Sequence, residues 1–286
     1  MSRLTYEEIV DKVADAVVRA STSYTPDQLR AYKSCLAKES NPNACWVLEG
    51  LIENAHKAQE VKLPLCDDTG IPHVVIELGA EAQMPTGFLP AVEQGVAAGL
   101  MRLPGRPMGV IGNDVERITQ SAGLSPRSDG VLMAPIQLKN VPGSNIKLTV
   151  LMMGGGPELR GKTLRVFHKH SFDIVLDEMV EWAKDAVAKL GCQPAVLAFG
   201  IGRTNLEAAS LALDAMKDGN FDVQSEIEKE ITTRVNATGI GPLSLGGETS
   251  VLATFLKVGP QRASGFRVIS LRTGCCVDPR RASVTF

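Results

Sequence analysis

Aromatic residues are scarce in this sequence, long apolar runs are missing, and charge of neither sign is in excess. Phe, Trp and Tyr make up 5% of the 286 residues, too few to supply the stacking platforms that hold single-stranded nucleic acid. Thirty Lys and Arg stand against 32 Asp and Glu, a formal net charge of −2. A nucleic-acid partner gripped through its phosphates needs clustered cations, so that class is excluded and a small-molecule substrate is expected. No apolar stretch approaches the ~20 residues of a membrane-spanning helix. Residues 1–18 are acidic and amphipathic and lack the basic-then-apolar order of a signal peptide, which predicts a cytoplasmic protein. Several chemical signatures are also missing. There is no C-x-x-C, which removes zinc-ribbon and ferredoxin-type spacings. There is no G-x-x-x-x-G-K-[ST] and no G-x-S-x-G elbow, and Gly200-Ile201-Gly202 lacks the third glycine of a dinucleotide fingerprint.

What remains is the composition of an ordinary globular chain, 44% hydrophobic and 22% charged. Its patterning predicts an α/β (mixed α+β) fold: a single compact domain over residues 1–286, with an N-terminal helical segment and a mixed sheet flanked by helices. Thr5 and Glu8 have the spacing of a capping box ahead of Ile9, Val13 and Val17. Thr25-Pro26 opens a second helix and residues 43–60 a third. Further helices are expected over 88–101, 171–190, 204–217 and 222–235, with a short helical turn at 113–118. Gly191 stands where a left-handed residue would stop the longest of them. Strands are expected at 73–78, 131–137, 145–153, 194–199, 250–257 and 266–271, with Gly200–Arg203 as a loop.

Six cysteines in a reducing compartment are not a disulfide framework. Cys35 and Cys45 fall on helices and are expected as core residues. Cys66, Cys192 and the Cys275-Cys276 pair lie in loops beside Gly, Pro or Asp. Three thiolates from separate loops would suit an iron–sulfur cluster with one iron lacking a protein ligand; the bland alternative is free thiols at element ends. Asp67-Asp68 follows Cys66 directly, where a carboxylate could move a proton, although Asp-Asp-Thr-Gly is equally a turn signal. Three glycine loops, at 154–156, 200–202 and 239–247, would let backbone approach an anion. Arg203 and Arg280-Arg281 carry guanidinium groups of the kind that clamp carboxylates, with plain solvation as the alternative for the terminal pair.

Taken together, Leu65-Cys66-Asp67-Asp68-Thr69-Gly70, Gly191-Cys192-Gln193-Pro194, Asn236-Ala237-Thr238-Gly239-Ile240-Gly241-Pro242 with Leu245-Gly246-Gly247, and Cys276-Val277-Asp278-Pro279-Arg280-Arg281 occur in an order that resembles the α subunit of iron–sulfur hydro-lyases. These are the class I fumarate hydratases and L-tartrate dehydratases. The resemblance implies a [4Fe–4S] cluster with one iron open to substrate, held by Cys66, Cys192 and Cys276, with Cys275 as the alternative third ligand. It implies proton transfer at Asp68 and substrate contacts from Asp67, Thr69, Arg102, Gly155, Arg203 and Arg280, with Arg106 as the alternative to Arg102. The substrate implied is a C4 dicarboxylate, with fumarate and malate ahead of tartrate, and the partner a β subunit in a heterotetramer. A non-catalytic anion-binding homologue is the competing reading. Two departures motivate it: Asp67 stands where the family usually has Gln, and the loop at 152–158 lacks the family's Lys and Ser.

Overall fold

The computed structural model describes residues 4–286, so Met1–Arg3 of the N-terminal stretch lie outside it. The class is mixed α/β, as expected, but the strands divide between two four-stranded sheets, and the chain forms two compact units.

The first unit comprises, among the described residues, 4–23, Ala55–Gly154 and Arg280–Phe286. It opens with α1 (Tyr6–Thr22), whose Thr5–Glu8 capping box is formed and whose Ile9, Val13 and Val17 are buried. It also contains β1 (Ile71–Gly79), α4 (Phe88–Arg102), α5 (Asp114–Thr119), β2 (Gln137–Val141), β3 (Ile146–Met153) and β8 (Arg280–Thr285). The sheet order is β2-β1-β3-β8, with β1–β2 parallel and the other two pairings antiparallel. Helices α1 and α4 set Val13, Val17, Val92 and Val96 against Val74, Ile76, Leu148 and Val150 to form the core. Burial of that apolar area is the main stabilising term.

The second unit comprises Tyr24–Asn54 and Gly155–Pro279. It holds α2 (Pro26–Leu36), α6 (Gly155–Glu158), β4 (Lys162–Phe167), α7 (Phe172–Ala188), β5 (Ala195–Gly202), α8 (Asn205–Asp218), α9 (Glu226–Asn236), β6 (Val251–Val258) and β7 (Phe266–Gly274). Helix α3 (Pro42–Val61) begins in this unit and ends in the first. The sheet order is β4-β7-β5-β6, with only β5–β6 parallel. Every residue of β5 is buried, which explains its unbroken apolar sequence.

Four expectations change. The strand expected at 131–137 is a 3-10 turn (Ser128–Val131), and pairing starts only at Gln137. Pro135 interrupts that run and has no N–H to give a ladder. The expected loop at Gly200–Gly202 is the end of β5. A Cβ on Gly200 would stand 2.1 Å from the Ala208 carbonyl oxygen, so glycine here admits the backbone of α8 rather than an anion. Strands β4 and β8 were not anticipated; each lies at a sheet edge with mixed exposure, which blurs the alternation. Finally, Cys35 and Cys45 are half-buried, not core. The buried positions of α2 are Gln28 and Tyr32 instead.

Candidate functional site: two sets of thiol-bearing loops

In the first unit, the turn at residues 65–70 is built around a guanidinium. Leu65 is buried, and its N–H donates to the Ser21 carbonyl at the end of α1 (2.9 Å), which fixes where the turn begins. Cys66 follows, half-buried, with its Sγ 3.6 Å from Asp67 Oδ1. Asp68 Oδ1 accepts the Gly70 N–H at 3.1 Å, an Asx turn that orients the carboxylate. Thr69 is buried and donates to the Arg106 carbonyl (3.3 Å), while Asp67 is exposed and pairs with Arg106 Nη1 at 3.3 Å. Arg280, first residue of β8, is 2% exposed and is the largest fully buried side chain of the chain's described residues. Its Nη1 donates to the Asp68 carbonyl at 2.6 Å and the Thr69 carbonyl at 3.2 Å. Gly70 has φ +80°, and a Cβ there would meet Arg280 Nη2 at 2.8 Å and the Met153 carbonyl at 2.9 Å. The backbone thus wraps the guanidinium closely. Charge-assisted bonds of this kind contribute ~1.5–3 kcal/mol each and offset the desolvation of the cation. The solvated alternative for Arg280 is overturned.

In the second unit, the thiols are brought together through the backbone. Gly191, at φ +78°, follows α7 as expected, and Cys192 comes next. The Cys276 N–H donates to the Cys192 carbonyl at 2.9 Å. Cys275 and Asp278 close a tight turn: the Cys275 N–H donates to Asp278 Oδ2 (2.9 Å) and the Asp278 N–H returns to the Cys275 carbonyl (3.0 Å). Cys275, Cys276 and Asp278 are all buried. The Cys276 thiol titrates well above its ordinary range. Its hydrogen bond with Cys275 is the largest cause, followed by burial and by the proximity of Cys275, Cys192 and Asp278. Acidic neighbours and burial both disfavour the Cys276 thiolate, and a bound metal reverses that balance by taking the thiolate as a ligand.

A stripe on α2 faces this turn. Tyr24 and Tyr32 both donate to the Cys276 carbonyl, Tyr24 at 3.0 Å, and Gln28 Nε2 donates to the Asp278 carbonyl at 2.8 Å. Burial pushes both phenols well above their ordinary value, so they stay neutral donors. The Gln28 acceptor oxygen is buried without a partner among the described residues, a penalty of ~1–3 kcal/mol carried by a side chain whose donor is in use.

The other expected site residues are placed differently. Arg102 on α4 pairs with Asp11 at 2.5 Å and Asp15 at 2.9 Å, both on α1. The alternative, Arg106, is the one at the Cys66 turn. Arg203 forks onto Glu207 one helical turn on and holds that carboxyl at about 2. Gly155 opens α6, and a Cβ there would meet nothing within 4 Å. Within the motif at 236–242, Asn236 is structural. Its Oδ1 accepts the Ser250 and Val251 N–H groups and so sets the start of β6. Among the described residues, no three His, Cys, Asp or Glu side chains converge as they would on a single ion. A sulfide-bridged cluster makes no such demand, because its thiolates bind separate irons. The soft, loop-borne donors Cys192 and Cys276 fit one. Sequence reasoning missed Tyr24, Gln28 and Tyr32, whose only signal was their spacing of four.

No helix among the described residues is long and apolar enough to cross a membrane. A mixed α/β chain that carries Cys66, Cys192, Cys275 and Cys276 on loops at element ends is thereby placed among the hydro-lyases. It belongs to the fumarate hydratase (Fumerase) family, whose family model matches residues 10–285. A putative L(+)-tartrate dehydratase subunit alpha of Methanocaldococcus jannaschii is 27% identical over 93% of this chain and 94% of its own length. L(+)-tartrate dehydratase subunits alpha of Escherichia coli and Shigella boydii are 23% and 22% identical, each over 98% of this chain and 93% of theirs.

Proposed function

We propose that residues 1–286 form the α subunit of a [4Fe–4S] hydro-lyase that removes water from a C4 2-hydroxy dicarboxylate, L-tartrate ahead of malate. Cys66, Cys192 and Cys276 would hold the cluster. The observation that carries this reading is the Cys276 N–H to Cys192 carbonyl bond, which couples two thiol loops 84 positions apart in a family of hydro-lyases.

When bound, such a cluster supplies a Lewis-acidic iron that makes the substrate hydroxyl a better leaving group. The chain's residues supply the rest. Asp68, its carboxylate oriented by the Gly70 N–H, takes the proton from the carbon next to the hydroxyl or activates the group that does. Arg280 keeps the Asp68 and Thr69 carbonyls fixed, so the carboxylate stays in one place. Arg106, beside Asp67, is the cation of this turn and the natural contact for a substrate carboxylate. The relatives are alpha subunits by name, so a β subunit completes the enzyme in this proposal, and the compartment is the cytoplasm.

The test is anaerobic co-expression with the β chain, iron and sulfide analysis, and a panel of L-tartrate, L-malate and methylated analogues. Tartrate loses water to an enol that becomes a 2-oxo acid, read by a coupled dehydrogenase. Cluster-loaded protein with tartrate turnover supports the proposal. A reconstituted complex without iron and sulfide, or one that leaves every dicarboxylate unchanged, would reject it in favour of an anion-binding homologue.

A further inference from the structure

Helix α2 contributes no cysteine that the cluster reading uses, yet its buried positions are polar. Gln28 and Tyr32 stand one turn apart on the helix, and Tyr24 lies just ahead of its extended N-cap Thr25. All three donors end on the backbone of a single turn: two phenols on the Cys276 carbonyl and one amide on the Asp278 carbonyl. A carbonyl oxygen has two lone pairs, and here both are taken by side chains. The two phenol rings are stacked, with centroids 5.4 Å apart and planes 13° from parallel, so neither hydroxyl can swing away independently. From the other side, Asp278 fixes the Cys275 N–H, and a Cβ on Gly274 would meet the Asp278 Cβ at 2.7 Å. The peptides on both sides of the Cys276 side chain are therefore held.

We infer that Tyr24, Gln28 and Tyr32 are a neutral clamp that positions Cys276 for metal–sulfur ligation, acting through its carbonyl and not through its sulfur. The inference rests on the reading of Cys276 as a cluster ligand. It gives α2 a function in the site. The clamp uses uncharged donors, so it orients the thiolate without adding charge beside it. Partners outside the ligand set commonly change metal affinity ~10–100-fold.

The experiment uses the full chain in complex with its β partner, reconstituted anaerobically, and follows iron release to an excess of a strong ferrous chelator. Tyr32→Phe and Tyr24→Phe each remove one hydroxyl at constant ring volume. Each single variant is expected to release iron several-fold faster, and the double variant about 10-fold faster. In the metal-free protein, the alkylation rate of Cys276 relative to Cys45, read by mass spectrometry, should rise by a similar factor. Tyr6→Phe is the control: Tyr6 bonds Gln94 in the other unit and should change neither rate. Should the double variant fail to fold, the two single variants decide. Wild-type iron release in both single variants overturns the clamp, as does a parallel rise at Cys45 and Cys276, which would mean general loosening. Cys276→Ser separates the two readings. Full iron in that variant overturns the ligand assignment itself, whereas lost iron there with wild-type Tyr variants overturns only the clamp.

Discussion

Around Cys66 the fixing contacts are charged: the Arg280 guanidinium on two carbonyls, the Arg106–Asp67 pair, and the Asp68 carboxylate on a backbone N–H. Around Cys192 and Cys276 they are mostly neutral: a peptide bond to a peptide, two phenols and an amide. The first turn is half exposed and keeps carboxylates at its surface; in the second set Cys192 is half-buried too, while the Cys275–Asp278 turn is buried. Substrate binding and proton transfer need charge near solvent, and holding soft ligands needs geometry without competing charge. Under the proposed function, the chemistry would fall to the Cys66 turn and most of the anchoring to the other.

The strongest challenge to that division is Cys192→Ser. A hydroxyl is a poor ligand for iron–sulfur centres, so cluster iron, sulfide and turnover should all be lost under anaerobic conditions, as measured by metal analysis and absorbance. Full iron in this variant would remove the anchoring role from the buried loops. Next in size is Asp68→Asn, which keeps the Asx turn and removes the base. Turnover should fall ~10²–10⁴-fold with iron content unchanged. Equal loss of iron would show that the Cys66 turn is as much an anchor as the other.

Arg280→Met tests what the guanidinium contributes to the fold. It leaves the Asp68 and Thr69 carbonyls without their buried donor, at a cost of about 3 kcal/mol. Thermal unfolding should shift down by roughly 5–10 °C. Arg280→Lys keeps the charge but not the fork, and its midpoint should fall in between.

Helices were the most legible part of the sequence, and some carry their own caps: Thr5 with Glu8 on α1 and Thr204 on α8 both bond, whereas Thr25 opens α2 without a side-chain cap bond. The edge strands β4 and β8 were not, since they bury few residues and gain their structure from one neighbour each, whereas the mostly buried edge strand β6 was. Cys66, Cys192 and Asp68 were legible as loop residues. The direction of a buried cation was not. Nothing in Arg280-Arg281 distinguishes a solvated tail from a strand whose first residue enters the core, because that depends on β3 pairing Met152 with Arg280. Gly200 misled for a related reason: a glycine that admits a helix and a glycine that admits an anion look alike in sequence.

The smallest expected effect concerns Asp67, where the resemblance leads one to expect Gln. Asp67 is 78% exposed in its side chain, and its pair with Arg106 at 3.3 Å is open to solvent. Such pairs contribute ~0.2–1 kcal/mol, so Asp67→Gln should leave the melting temperature within about 2 °C. Its effect on substrate should be clearer. The carboxylate repels a dianion and also competes with it for the Arg106 guanidinium, so removing it favours binding twice over. KM for the dicarboxylate should fall ~2–10-fold at low ionic strength, with kcat nearly unchanged, because a surface charge acts on ground and transition states alike. The gain should shrink by 0.5 M salt, where the Debye length is only ~4 Å. A KM that stays put at low salt would mean the anion does not approach Arg106, and the charged half of the comparison would lose its substrate role while keeping Asp68.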